Sequence, residues 1–184
     1  MQIRSRLLIV AVVLLLCTTG CGYHFSGEGP GPKPGLHNIA IPVFENKTSE
    51  PDLGAIFAGE LRKEFMRRGS MRVVPQDEAE AVFRGIITNI YSSAVAHRDL
   101  PLTYNNALAI ETRLYVVLEI RCIEIKTGKV LWQDPNFTYF KVYRQLRNAQ
   151  DPDPIFSFDS RKGALQFLAK EMSTRIHDRF LSNF

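Results

Sequence analysis

Three cysteines (Cys17, Cys21, Cys122) and four histidines (His24, His37, His97, His177) are the residues of this chain best suited to nucleophilic or metal chemistry. Their spacing offers little of either. No two histidines stand at i, i+4 and no Cys-x-x-Cys occurs, so nothing in the order of residues presents several metal ligands together. A Gly-x-Ser-x-Gly elbow is missing, and Gly128-Lys129 lacks the upstream glycine of a phosphate loop. The sequence therefore predicts no catalytic residue, no metal site and no dissociable cofactor; the expectation is a protein that is not an enzyme. Cys122 falls on what reads as the apolar face of a strand, where a lone thiol acts as a small hydrophobe. One reactive position is left, Cys21.

What surrounds Cys21 gives its thiol a use. Residues 1–6 carry Arg4 and Arg6, residues 7–16 are an unbroken apolar run, and small residues follow up to Gly20. That is the order of a secretory signal peptide, and the run is half of the roughly 20 apolar residues a spanning helix needs. Thr18-Thr19-Gly20-Cys21 resembles the bacterial lipobox, with Thr18 where leucine is usual. The alternative is a plain signal peptide with an incidental cysteine; the cysteine's place just past a short apolar run and a small residue favours the lipobox. Residues 1–20 are then a lipoprotein signal peptide, and Cys21 is the lipid-attachment site, carrying N-acyl and diacylglycerol chains. Each buried CH₂ contributes about 0.8 kcal/mol, and two or more chains hold firmly where one is marginal. Gly22, in place of the aspartate that retains enteric lipoproteins at the inner membrane, favours the outer membrane.

Arg4 and Arg6 leave with such a signal, so 23 basic residues become 21 against 19 acidic, and the net charge falls from +4 to +2. That balance disfavours a nucleic-acid partner, which calls for a strong basic excess. With Cys17 removed, Cys21 acylated and Cys122 unpaired, the exported domain has no disulfide and must be held by its own core. Residues 22–35 hold five glycines and three prolines. Such a segment reads as a flexible tether (21–35) ahead of a single domain over 36–184.

The elements follow from periodicity. Residues 39–44 alternate β-branched positions up to Pro42, which suits an edge or a strand end. Ser49 and Asp52 look like a capping box, with Pro51 in the first turn of a helix over 51–68 whose apolar stripe is Leu53, Ile56, Phe57, Leu61 and Phe65. Gly69 stops it. Short strands are predicted at 71–74 and 81–91, the latter apolar on both faces so that its facing is undecided, and a loop over 97–106. In the strand over 110–125, Leu114, Val116, Leu118, Ile120 and Cys122 form one apolar face. A turn at 126–129 returns the chain as 130–132; Pro135-Asn136 interrupts, and 137–144 continues with Phe140 and Val142 opposite Tyr139, Lys141 and Tyr143. After a polar connection at 147–154, a last helix from Ser157 or Asp159 carries the stripe Leu165, Leu168, Ala169, Met172, Ile176 and Phe180. The fold class is α+β: a two-layer sandwich in which a mixed, mostly antiparallel sheet of about four strands is covered on one face by two helices. The sequons at Asn46 and Asn136 read as turn chemistry.

Four separated pieces then carry a resemblance: Cys21-Gly22-Tyr23-His24-Phe25, Ile39-Ala40-Ile41-Pro42-Val43-Phe44-Glu45-Asn46-Lys47-Thr48, Gly85-x-Ile87, and Thr127-Gly128-Lys129-Val130-Leu131-Trp132. In order and spacing they resemble the LptE family of lipopolysaccharide-assembly lipoproteins, with Glu80 where the family tends to show aspartate. The resemblance implies a lipoprotein of the cell outer membrane that sits in the lumen of the LptD β-barrel, plugs it, helps it fold, and presents lipopolysaccharide to the outer leaflet. For that anionic ligand the mixed sheet face offers Arg113, Arg121 and Lys141, arginine being able to fork a phosphate. Tyr115, Tyr139 and Tyr143 beside them are candidate partner contacts. An ordinary solvated face with aromatic cross-strand pairs is the plainer reading. The runner-up function is a periplasmic scaffold or secretion-pore lipoprotein, since a short strand, an Asn-Thr turn and an amphipathic helix also resemble the TolB N-terminal and CsgG-type domains.

Overall fold

The computed structural model describes the backbone at residues 29, 31–99, 107–148 and 154–182, and side chains at 29, 31–93, 112–143 and 161–182. The signal peptide, Cys21, His24 and residues 100–106 and 149–153 lie outside the described residues. In chain order the elements are β1 (Asn38–Ala40), β2 (Glu45–Asn46), α1 (Leu53–Arg68), β3 (Arg72–Val73), β4 (Ala81–Asp99), β5 (Ala107–Glu124), β6 (Val130–Asn148) and α2 (Pro154–Ser182).

They form one mixed sheet of six strands in the order β3-β1-β4-β5-β6, with β2 pairing β4 farther along the edge that β1 occupies. The sheet has two strands more than expected: the stretch read as one strand over 39–44 is broken at Pro42 into β1 and β2, and the short β3 is paired into the sheet at the edge of β1. Residues 41–44 leave the sheet, and Arg62 Nε donates to the Ile41 carbonyl at 2.7 Å where no neighbouring strand does. The β1, β2 and β3 pairings are parallel and the long β4–β5 and β5–β6 ladders antiparallel.

The start of α1 also departs from expectation. Asp52 is the N-cap, in a left-handed conformation (φ 61°) and with no side-chain cap bond, so the Ser49/Asp52 capping box does not form and Pro51 precedes the helix. The turn is organised instead by Asn46, whose amide donates to the Glu50 carbonyl at 2.7 Å and whose oxygen accepts from the Thr48 hydroxyl at 2.8 Å. Close approach of two backbones fixes the entry: a Cβ on Gly54 would lie 2.0 Å from the Phe44 carbonyl oxygen. Gly69, at φ 65°, ends the helix as read, its N–H donating to the Phe65 carbonyl.

Both helices cover one face of the sheet. Phe57, Leu61 and Phe65 of α1 and Leu168, Met172 and Phe180 of α2 are buried with Phe83, Ile87, Leu114, Val116, Leu118, Ile120 and Phe137. Phe180 is a hub, its ring 4.9 Å from Phe83 and 6.0 Å from both Phe65 and Trp132. A register shift between Ile87 and Asn89 explains why β4 looked apolar on both faces. Phe83 and Ile87 point to the helices before the bulge and Ile90 after it. β4 also runs on through His97–Asp99, read as loop. Helix α2 begins at Pro154, earlier than Ser157, with proline in the first turn where it is tolerated.

Residues 31–35, expected in the flexible tether, are docked. The Gly31 N–H donates to the Leu181 carbonyl at 3.2 Å, and Lys33 pairs with Glu124 at the β5–β6 turn. This strap joins the last turn of α2 to the hairpin end of the sheet.

Candidate functional site

The sheet face away from the helices is left uncovered by them, and its middle is aromatic. Tyr91 and Tyr115, opposite one another on β4 and β5, stack with centroids 4.7 Å apart and planes 6° apart. Tyr115 meets Phe140 of β6 at 5.3 Å. Arg113 lies over the Phe140 ring at 5.2 Å, with its Nε buried and unpaired. Tyr91, Phe140 and Val142 are 44 %, 41 % and 39 % exposed, so this ladder of rings is partly open to solvent, with the Arg113 side chain laid across it.

The six residues singled out from sequence do not share this face. Arg113, Tyr115 and Arg121 are on it; Tyr139, Lys141 and Tyr143 are on the helix side, opposite Val116, Leu114 and Thr112. The reason is a bulge. Leu118 pairs with Phe137 but Ile120 pairs with Asp134, so Pro135-Asn136 inserts an extra residue into a continuous strand. That one residue reverses the facing of everything after it, and Phe140 and Val142, read as inward, point out. The inward side chains are taken up by α2. Arg175 donates to the Tyr139 hydroxyl at 2.9 Å and lies over its ring at 4.3 Å. Lys141 sits 3.9 Å over the Phe167 ring, Arg179 bonds Asp134 at 2.6 Å, and Arg161 bonds Tyr143. Arg113 and Arg121, though on one face, are eight residues apart along β5, about 26 Å at ~3.3 Å per residue, and cannot share one small anion.

A residue cluster with no signature in the order of residues lies at the strap end. His177, 1 % exposed, places Nε2 2.9 Å from the Ser70 hydroxyl and Nδ1 3.2 Å from Asp178, with the Phe65 ring edge-on at 4.9 Å. Burial holds the His177 pKa below its ordinary value, against the opposing pull of Asp178. Burial would raise Glu64, but bonds from Arg67 and Arg68 outweigh it and keep the carboxyl below its usual range. Of these groups, Arg68, Ser70 and His177 line a cleft of about 530 Å³ under the strap. The arrangement closes α2 onto the end of α1. Cys122 is fully buried and its thiol is pushed up to about 12, as its reading as a hydrophobe requires. Among the described residues no group of three or more His, Cys, Asp or Glu could hold a metal, and no helix is long and apolar enough to cross a membrane.

Tyr91, Phe140 and Arg84 are the open-face residues missed from sequence. The signal for Phe140 was present in Pro135, which a paired strand accommodates only at an edge or a bulge.

The family model described as LptE, Lipopolysaccharide-assembly, matches residues 36–180. No curated protein matches the chain in sequence. Among solved structures, a minor lipoprotein from Acinetobacter baumannii is similar at a TM-score of 0.49 and 10% identity, over 80% of this chain and 94% of its own. A hypothetical protein from Chlamydia trachomatis is similar at 0.48 and 11% identity, over 81% and 99%. The PelC dodecamer from Paraburkholderia phytofirmans is similar at 0.44 and 12% identity, over 85% and 95%.

Proposed function

The chain belongs to the LptE family of lipopolysaccharide-assembly proteins, and from that membership we propose that it binds, plugs and helps assemble the LptD β-barrel and presents lipopolysaccharide for insertion into the outer leaflet. The family is one of non-enzymatic outer-membrane lipoproteins, so the Ser70–His177–Asp178 array is read as structural. The observation that carries the finer proposal is the uncovered face of β4–β6. Beyond Ile87 these three strands continue without β1 or β2, and they present Tyr91, Tyr115 and Phe140 with Arg113. Flat aromatic area rimmed by arginine suits a protein wall, since aromatic residues and arginine are enriched where interfaces bury most. Acylation of Cys21 would hold the domain at the membrane that contains the barrel.

The test is recovery of the complex. Gentle detergent extraction of the outer membrane should yield this protein bound to a large β-barrel in a one-to-one complex by native mass, and its depletion should leave that barrel misassembled. Recovery only as a free monomer, with the barrel intact in depleted cells, would overturn the proposal.

A further inference from the structure

The lower part of the open face holds a second concavity that the barrel-plug reading does not use. Arg84 of β4 and Arg121 of β5 are directly opposite in the antiparallel register. Like charges placed so are unfavourable. Arg121 is partly relieved by Glu119, which accepts from its Nη2 at 2.6 Å and fixes the direction of the fork. Arg84 is exposed and makes no ion pair among the described residues. Glu45, also at the rim, is 3.8 Å from Lys47. Nearly nine N–H donors therefore remain for a ligand, five on Arg84 and about four on Arg121. The two side chains line a hollow of about 400 Å³ with Pro42, Val43, Ile86 and Ile123 as its apolar walls and Gln76 and Glu45 as its other polar side chains.

The surroundings say which anion suits it. Val43 is 63 % exposed, and Ile125 and Val130, next along the hairpin, are 40 % and 41 % exposed. Arginine forks framed by bare aliphatic groups match a phosphodiester that carries hydrocarbon, more than free phosphate or a carboxylate-bearing peptide. The hollow also lies at the strap end of the molecule. Glu124, which Lys33 of the strap grips, is three residues from Arg121, about 10 Å along the strand. From Gly31 back to Cys21 is ten residues, at most ~35 Å of extended chain. An acyl group on Cys21 would keep this end within reach of headgroups.

We infer that Arg84 and Arg121 form a headgroup site for an acidic glycerophospholipid of the bilayer that holds the anchor. The inference rests on the acylation of Cys21 but not on the barrel partnership. The protein docks its anchored end by gripping one phosphodiester between the two forks while Val43, Ile125 and Val130 rest among the outer acyl carbons.

The experiment uses the acylated protein in a non-ionic detergent, titrated with short-chain phosphatidylglycerol below its micelle concentration and followed by the arginine Nε–Hε NMR signals. Saturable shifts at Arg84 and Arg121 are expected, with short-chain phosphatidylcholine and inorganic phosphate binding at least tenfold more weakly. The Arg84→Gln/Arg121→Gln double variant should lose at least tenfold in affinity, and Lys170→Gln, on the exposed side of α2, should match the wild type. A second readout separates a ligand site from a merely structural pair. Arg84→Glu sets a carboxylate opposite Arg121, so it should raise the melting temperature of the free protein while abolishing binding. Equal binding by the double variant, equal binding of phosphatidylcholine, or saturation of these arginines by lipopolysaccharide but not by phosphatidylglycerol would each overturn the inference. None of these results bears on whether a barrel co-purifies, so the two proposals fail separately.

Discussion

At the scale of single residues, the structure turns on what is buried and what that burial costs. His177 sits 1 % exposed between Ser70 and Asp178, faced also by Glu64 and Arg68 from α1. Its folded pKa is lowered, chiefly by burial, below an unfolded value near 6.5. Below that value the unfolded chain takes up a proton that the folded protein refuses, so stability is complete above about pH 6.5 and declines as pH falls toward the folded pKa. The carboxylates with lowered values, Glu64, Glu80 and Glu124, start from 4.5 and lose their contribution only at lower pH. The window between pH 5 and 6.5 thus isolates the histidine. Melting temperatures at pH 5.5 should lie below those at pH 7.5 in the wild type, and His177→Gln should flatten that difference; an equal slope in the variant would place the titrating group elsewhere. Nothing in the order of residues announced this cluster. Ser70 and His177 are 107 positions apart and meet only because α2 returns over the end of α1.

Elements were more legible than residues because each has its own period. The stripes of both helices apart from the half-buried Ile56, and the face formed by Leu114, Val116, Leu118, Ile120 and Cys122, are buried as the 3.6 and 2.0 repeats require. Period-based reading fails where a strand changes phase, and β4 and β6 both do so. In β4 the shift after Ile87 moved apolar residues to both faces; in β6 Pro135-Asn136 reversed the inner and outer sets. Polarity alone could not reveal that reversal, because the inward tyrosines and Lys141 are satisfied by Arg161, Arg175 and Phe167 of a helix distant in sequence. The bulge is therefore predicted to be a device that aims β6. Deleting Asn136 should restore strict alternation, turning Phe140 and Val142 under α2 and expelling Tyr139, Lys141 and Tyr143. Loss of near-ultraviolet circular dichroism and a fall in melting temperature by more than ~5 °C are expected, on the scale of a few kcal/mol for a domain of this size. A variant that keeps the wild-type spectrum and melt would show that the register is set by the turn at 126–129 alone.

For the whole molecule, the long strands and the strap make an object with two unlike ends. β4 has 19 residues, about 60 Å at ~3.3 Å each, and only its first seven are flanked by β1 and β2. The strap, the end of α2 and the β5–β6 turn gather at one end, while the Asp99–Leu108 pairing of β4 and β5 lies at the other. A lipid on Cys21 would be joined to the first end through the residues that precede the strap, ten positions before Gly31. Attachment and folding should therefore separate. Cys21→Ala is expected to move the protein out of the membrane fraction and to abolish labelling by radioactive palmitate. Its melting temperature should stay within a degree of the wild type, since Gly31, Lys33 and the core they touch are unaltered. Were the variant to remain at the membrane, the apolar and arginine-bearing hollow at the strap end would be sufficient for binding and the anchor dispensable. Were it to melt several degrees lower, the ordering of the strap would depend on the lipid, and the two ends of the molecule would be coupled through it.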